Sequence, residues 1–138
     1  MKKAIALLAV AVGFGLFGCG GSDEEPLTKA EFRKQATAIC EESRQERYEK
    51  AEALSSKGEP DKKQLKKLIQ EEYIPSFRAM FDELQELNPP EAEAEQFEKV
   101  LANLEAATDD AEANFGQTKS LFAASQEAEK MGLGACGF

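Results

Sequence analysis

EAEAEQFEKVLANLEAATDDAEANF, residues 91–115, decides the fold class. Phe97, Leu101, Leu104, Thr108, Ala111 and Phe115 recur at alternating intervals of four and three, the period of one face of an α-helix. With charge and alanine on the remaining faces, this stripe is a packing seam that other helices must cover. The acid-rich opening, EAEAEQFEK, keeps the same period, so it reads as the solvated side of that helix rather than as a disordered tail.

Working outward from the seam, every neighbouring segment is also helical. Asn88-Pro89-Pro90 ends one helix and begins the next, with Pro90 suited to a first-turn position. The helix before it is capped by Asp61 and carries Leu65, Leu68, Ile69, Phe77, Met80, Phe81, Leu84 and Leu87 on one side. Pro75 lies inside that helix, removes one hydrogen bond and predicts a kink. Thr28-Lys29-Ala30-Glu31 fits a capping box that opens the first helix, which runs to about Ser56 with Phe32, Ala36, Ile39, Ser43, Arg47, Ala51 and Leu54 on one face. Lys57-Gly58-Glu59-Pro60 stops it. After the seam, Gly116 breaks the pattern and a shorter helix spans about Thr118 to Met131, with Leu121, Phe122, Ser125 and Ala128 inward. Gly132 followed by Leu133 predicts a left-handed cap with its hydrophobic contact. No segment shows strand alternation and there is no internal repeat. The expectation is an all-α domain over residues 28–138, an antiparallel up-down four-helix bundle with a short fourth helix.

The N-terminus reads differently. Met1-Lys2-Lys3, an apolar run from Ala4 to Phe17, and the small Gly18 before Cys19 form the layout of an export signal. At 14 residues the run is short of the ~20 needed to span a bilayer. Leu16-Phe17-Gly18-Cys19 resembles the bacterial lipobox, which implies removal of residues 1–18 and acylation of the Cys19 thiol with diacylglycerol and palmitate chains. Two or more chains give stable attachment where one does not. Residues 19–27, the lipidated cysteine followed by small and acidic residues, then read as a flexible tether reaching about 25–30 Å. Loss of Lys2 and Lys3 takes the net charge from −9 to −11 over the 120 residues that remain. Such a surface repels nucleic acid and anionic headgroups, so the bilayer is a partner through the lipid alone.

Giving Cys19 to the lipid leaves Cys40 and Cys136. Outside the cytoplasm they form one bridge, the alternative being two buried thiols. Helix lengths favour the bridge. Cys40 lies sixteen residues before the end of the first helix, about 24 Å along it, and a fourth helix of about fourteen residues descends roughly 21 Å from the same end, bringing Cys136 level with Cys40. Histidine is absent, which removes Ser-His-Asp and Cys-His sites, the Glu-x-x-His pairs of di-iron bundles, and His-ligated zinc and haem.

Phe32, Ala36 and Ile39-Cys40, then Leu84-x-x-Leu87-x-Pro89-Pro90, then Gly132-Leu133-x-x-Cys136 resemble a group of small exported proteins common in actinobacteria, many with a lipobox. The resemblance covers nearly all of the mature chain and implies the Cys40–Cys136 bridge; it implies no activity and no catalytic residue.

Among charged residues Arg47 stands out. At 100° per residue it falls about 60° from Phe32, near the middle of the apolar face. Across the Gly58 turn Glu72 is nearly level with it, so a core Arg47–Glu72 ion pair is expected, against a role in gripping an anionic ligand. Asp109-Asp110 and Glu41-Glu42 point about 100° apart on a helix and do not converge on a cation, and no calcium-loop spacing is present. Met80 and Met131 read as core filling, as do Phe32, Phe77, Phe81, Phe97, Phe115 and Phe122. No metal or cofactor is expected. The leading expectation is a membrane-anchored extracytoplasmic lipoprotein of the cell envelope, non-catalytic and binding another protein. The alternatives are a carrier of a small apolar ligand in a cavity near the Pro75 kink, and a hydrolase built on carboxylates.

Overall fold

The computed structural model describes residues 25–115 and 119–137, and all of its regular structure is helical. The expectations for residues 1–18, for Cys19 and for the Gly116 break lie outside the described residues. Helix α1 spans Lys29–Ser55 and opens on the capping box: Thr28 Oγ1 accepts from the Glu31 amide at 3.3 Å, while the Glu31 carboxylate accepts from the Thr28 amide at 3.1 Å. Gly58, at φ +119°, turns the chain into α2, Lys62–Leu68, whose Asp61 cap forms a second box with Gln64. The chain continues without a break through a π-helical turn, Ile69–Tyr73, into α3, Ile74–Gln85.

The turn before Pro75, where the sequence predicts a kink, is π-helical. A proline ring in an α-helix collides with the carbonyl four residues back and removes one amide donor. Widening the preceding turn, so that the Ile74 amide bonds to the Ile69 carbonyl five residues away, relieves the crowding and keeps the helix running.

Helix α4, Glu91–Ala113, follows a short connection in which Pro90 occupies the N-cap position (φ −56°, ψ 140°) rather than the first turn. Helix α5, Lys119–Lys130, ends in the expected left-handed cap. Gly132 has φ +84°, its amide bonds to the Glu129 carbonyl at 2.8 Å, and the Leu133 amide reaches the Ala128 carbonyl at 2.9 Å. A 3₁₀ turn, Gly134–Cys136, completes the chain.

Packing runs α1 on α3, α3 on α4 and α4 on α5, with the 3₁₀ turn returning to α1. Cross-helix pairs fix the directions: Ser43 with Ser76 and Lys50 with Glu72, Arg78 with Asp109 and Gln85 with Glu105, and Asn103 with Glu127 and Asp110 with Ser120 each advance along one helix while retreating along the next, so consecutive helices are antiparallel. The core contains Phe32, Phe77, Met80, Phe81, Leu84, Phe97, Leu104, Met131 and Leu133, with Phe32 and Phe97 edge-to-face at 4.8 Å between centroids. The expected stripes account for nearly all of it. Two members of those stripes are exposed, Phe122 at 66% and Leu65 at 39%, and α2 buries no residue fully because α1 alone lies against it. Helix α5 meets its neighbours through Ala124 and Ala128, with Leu121 half-buried, and Phe122 lies one residue, about 100°, past that line. Leu27, read with the tether, belongs to the fold: its amide bonds to the Asn88 carbonyl at 2.9 Å and its side chain packs on the core.

Cys40 and Cys136 are joined as a disulfide, with Cα atoms 4.6 Å apart across a separation of 96 residues. Both are buried. Closing so long a loop is worth about 4–5 kcal/mol on chain-entropy grounds. Reduction, or Cys40→Ser, is expected to lower unfolding stability by that order in a urea titration followed by circular dichroism; a loss under about 1 kcal/mol would show that the reduced chain already holds this end of the fold.

Candidate functional site

The residue singled out by position, Arg47, is buried as its place on α1 requires, with 6% exposure. Its guanidinium carbon lies 3.8 Å from the centroid of the Phe77 ring on α3, a cation–π arrangement. Its Nη1 donates to Ser43 Oγ one turn earlier. Ser43 Oγ lies 3.0 Å from Ser76 Oγ on α3, and Ser76 Oγ donates to Glu46 Oε2 at 3.3 Å. Ser43 Oγ also donates to the Ser76 carbonyl at 3.3 Å, and between the two hydroxyls either can be the donor. Together these contacts link the guanidinium, two hydroxyls and Glu46, and sew α1 to α3. Burial pulls the Arg47 pKa down to about 10, opposed chiefly by the Tyr73 phenol and the Glu46 carboxylate, so the side chain is charged at neutral pH. The Tyr73 hydroxyl is itself pushed upward by burial and lowered by Arg47.

The Arg47–Glu72 pair is not formed. Glu72 instead meets Lys50 at 3.0 Å, at the surface, and that contact raises the Lys50 pKa. The π turn is the physical reason. A wide turn advances less than 100° per residue, so positions counted across it at the α-helical step lose their place on the helix face. Tyr73 and Phe77 come to Arg47, and Glu72 turns outward.

The other candidates are absorbed by ordinary contacts. Asp109 and Asp110 diverge as expected: Asp109 accepts from Arg78 on α3 at 3.0 Å, while Asp110 accepts from Ser120 at 2.5 Å and from Asn114 at 2.9 Å, which holds its carboxyl below the usual range. Glu41 pairs with Arg44 at 2.6 Å. Met80 and Met131 are buried in the apolar core. Glu93 on α4 draws Lys29 and Arg33 of α1 together, and the Lys29 hydrogen bond does most to lower its pKa. Among the described residues no group of three histidine, cysteine or acidic side chains is placed to hold a metal, and no helix is long and apolar enough to cross a membrane.

What the sequence reading did not single out is a cleft at the far end of α1. Leu54 on its last turn and Leu68 on α2 form the floor of a groove of about 440 Å³, rimmed by Lys57, Lys67, Glu71 and Glu72. The signal was present in KKQLKKLIQ, residues 62–70, where leucine and lysine alternate at helical spacing. Comparison with protein-family models, with characterised proteins and with solved structures finds no match.

The network and the outward Glu72 separate two outcomes. Arg47→Met keeps the contact with Phe77 and removes a desolvated charge, so its stability is expected to stay within about 1 kcal/mol of wild type. Ser43→Ala strands the guanidinium and is expected to cost about 1–2 kcal/mol, whereas Glu72→Leu changes stability by less than about 1 kcal/mol. Urea unfolding of the three variants checks the order; the largest loss at Glu72 would restore the Arg47–Glu72 pair.

Proposed function

We propose that this chain is a lipid-anchored extracytoplasmic module of the cell envelope that binds another protein and carries out no chemistry of its own. The observation that carries the reading is the division of labour among its three cysteines: Cys19 sits at the end of an export-type apolar run, and the other two are joined across the fold. A structural disulfide suits an oxidising compartment. The absence of histidine and the engagement of Arg47, Asp109 and Asp110 in contacts within the fold favour a binding role over a catalytic one. Thr28 opens α1 beside the α3–α4 connection, so a tether ending there leaves the Gly58 turn about 40 Å away at 1.5 Å per residue. The hairpin formed by α1 and α2 is then the part of the domain held farthest from the bilayer.

Cells fed a radiolabelled fatty acid are expected to label the wild-type chain and not Cys19→Ser, with the variant released from the membrane fraction. Equal labelling of the two would reject the anchor, and cross-linking in intact membranes that captures no protein would reject the binding role.

A further inference from the structure

We propose that the end of the α1–α2 hairpin is the docking face of this module, and that its partner is a protein presenting an acidic segment with one apolar side chain. The inference rests on the binding role proposed above and gives that partner its chemistry.

Charge on this chain is strongly segregated. Residues 57–68 hold five lysines, at 57, 62, 63, 66 and 67, against Glu59 and Asp61. Residues 74–138 hold four basic and thirteen acidic side chains. Lys57, Lys62, Lys63 and Lys66 make no ion pair with any described residue, and Lys67 meets only Glu71, at 3.5 Å, with both side chains largely exposed. These charges are therefore fully available to a partner. On the helical wheel the four lysines of α2 fall within an arc of about 140°, with Leu68 opposite its centre and Leu65 about 60° beyond its edge.

Beside the lysines lies a seat for an apolar side chain. The groove between Leu54 and Leu68 is open to solvent, and Leu65 next to it is 39% exposed. Its rim carries Lys57 and Lys67 beside Glu71, which meets Lys67, and Glu72, which meets Lys50, so the acidic neighbours of an apolar residue entering the groove find ammonium groups on the Lys57 side and along the lysine arc of α2. The acid-rich part of the molecule, residues 74–138, repels such a segment and favours its approach to this end.

A bilayer suits the face less well. An interfacial helix inserts an apolar side while its lysines flank the headgroups. Here Leu68 lines the groove with Leu54 of α1, and the lysine arc contains no apolar residue to insert.

The test uses the full lipidated chain, unreduced, in detergent, with a fluorescent peptide of six glutamates around a central leucine. Anisotropy is expected to show binding that falls about tenfold or more when sodium chloride rises from about 50 to about 300 mM. The triple variant Lys62→Glu, Lys63→Glu, Lys66→Glu should bind at least about tenfold more weakly, while Lys99→Glu with Lys130→Glu leaves binding unchanged. A peptide with serine in place of leucine should bind several-fold more weakly, a comparison that needs no change to the protein. Failure of the acidic peptide to bind, or equal binding by the triple variant, overturns the proposal. So does preferential binding to phosphatidylglycerol vesicles over the peptide, which assigns the face to lipid, or salt-sensitive self-association seen by sedimentation without peptide binding, which assigns it to a second copy. Cross-linking in membranes separates this from the wider reading: a protein still captured by the triple variant rejects the hairpin end and keeps the binding role, whereas peptide binding with no protein captured rejects the role and keeps the face.

Discussion

The Cys40–Cys136 disulfide is the constraint on which the rest of this fold depends. Helix α5 is twelve residues long and meets the core through alanines, Ala124 and Ala128, with Leu121 only half-buried. A helix that buries so little apolar area has a weak hold on its neighbours at ~25 cal/mol per Å². Its position is set by residues 131–137, on its C-terminal side. The Gly132 cap reverses the chain, Met131 and Leu133 drop into the core, and Cys136 closes on the middle of α1. Gly137 then lies so near Ser125 that a Cβ there would stand 2.8 Å from that side chain, and no larger residue fits without moving it. The end of the chain is thus fastened covalently and sterically where the hydrophobic effect alone gives little.

The other end of the core is fastened by polar means. Pro75 interrupts the amide ladder between α2 and α3, and the π turn that accommodates it sets which side chains reach α1. Phe77 stacks under Arg47, and Ser76 joins Ser43 to Glu46. Buried charge without a partner is costly, and partners that take up each donor in turn make it tolerable. Arg47 thereby belongs to the helix-to-helix joint, although its location near the centre of an apolar face resembles that of a ligand-binding arginine.

The legible and illegible parts of the sequence divide along physical lines. Thr28 and Glu31, Asp61, and Gly132 with Leu133 announced the helix ends because capping depends on a few residues adjacent in the chain. The seam of α4 and the bridge between Cys40 and Cys136 were legible because the helical rise is regular enough to carry a level across 96 residues. Glu72 was not, since one π turn between it and its supposed partner alters the angular step on which any wheel argument relies. Phe122 was misplaced for a different reason. A large apolar residue is a poor guide to the buried side of a helix whose contacts are made by alanine. The groove at Leu54 and Leu68 went unread because it depends on how far α2 stands from α1, a spacing set by tertiary packing and not by either helix alone.

The hairpin end acquires its character from what it lacks. Beyond the level of Arg78 and Glu112, where α4 comes to its end, α1 and α2 continue without the acidic helices that accompany α1 lower down. At and below that level basic side chains are held by acids across helix pairs, Lys29 and Arg33 by Glu93 and Arg78 by Asp109 and Glu112, and above it Lys50 still meets Glu72. Above it, the lysines at 57, 62, 63 and 66 have no such neighbours among the described residues, and the floor between Leu54 and Leu68 has no third helix to close it. Exposed ion pairs are individually weak, so pairing lower in the molecule adds little to stability. Its larger effect is on the field: it offsets several of the body's cations and leaves five lysines gathered within residues 57–68 of a chain whose net charge is −9. The same helix ends that stop α4 short therefore create both the open groove and the unpaired charge around it.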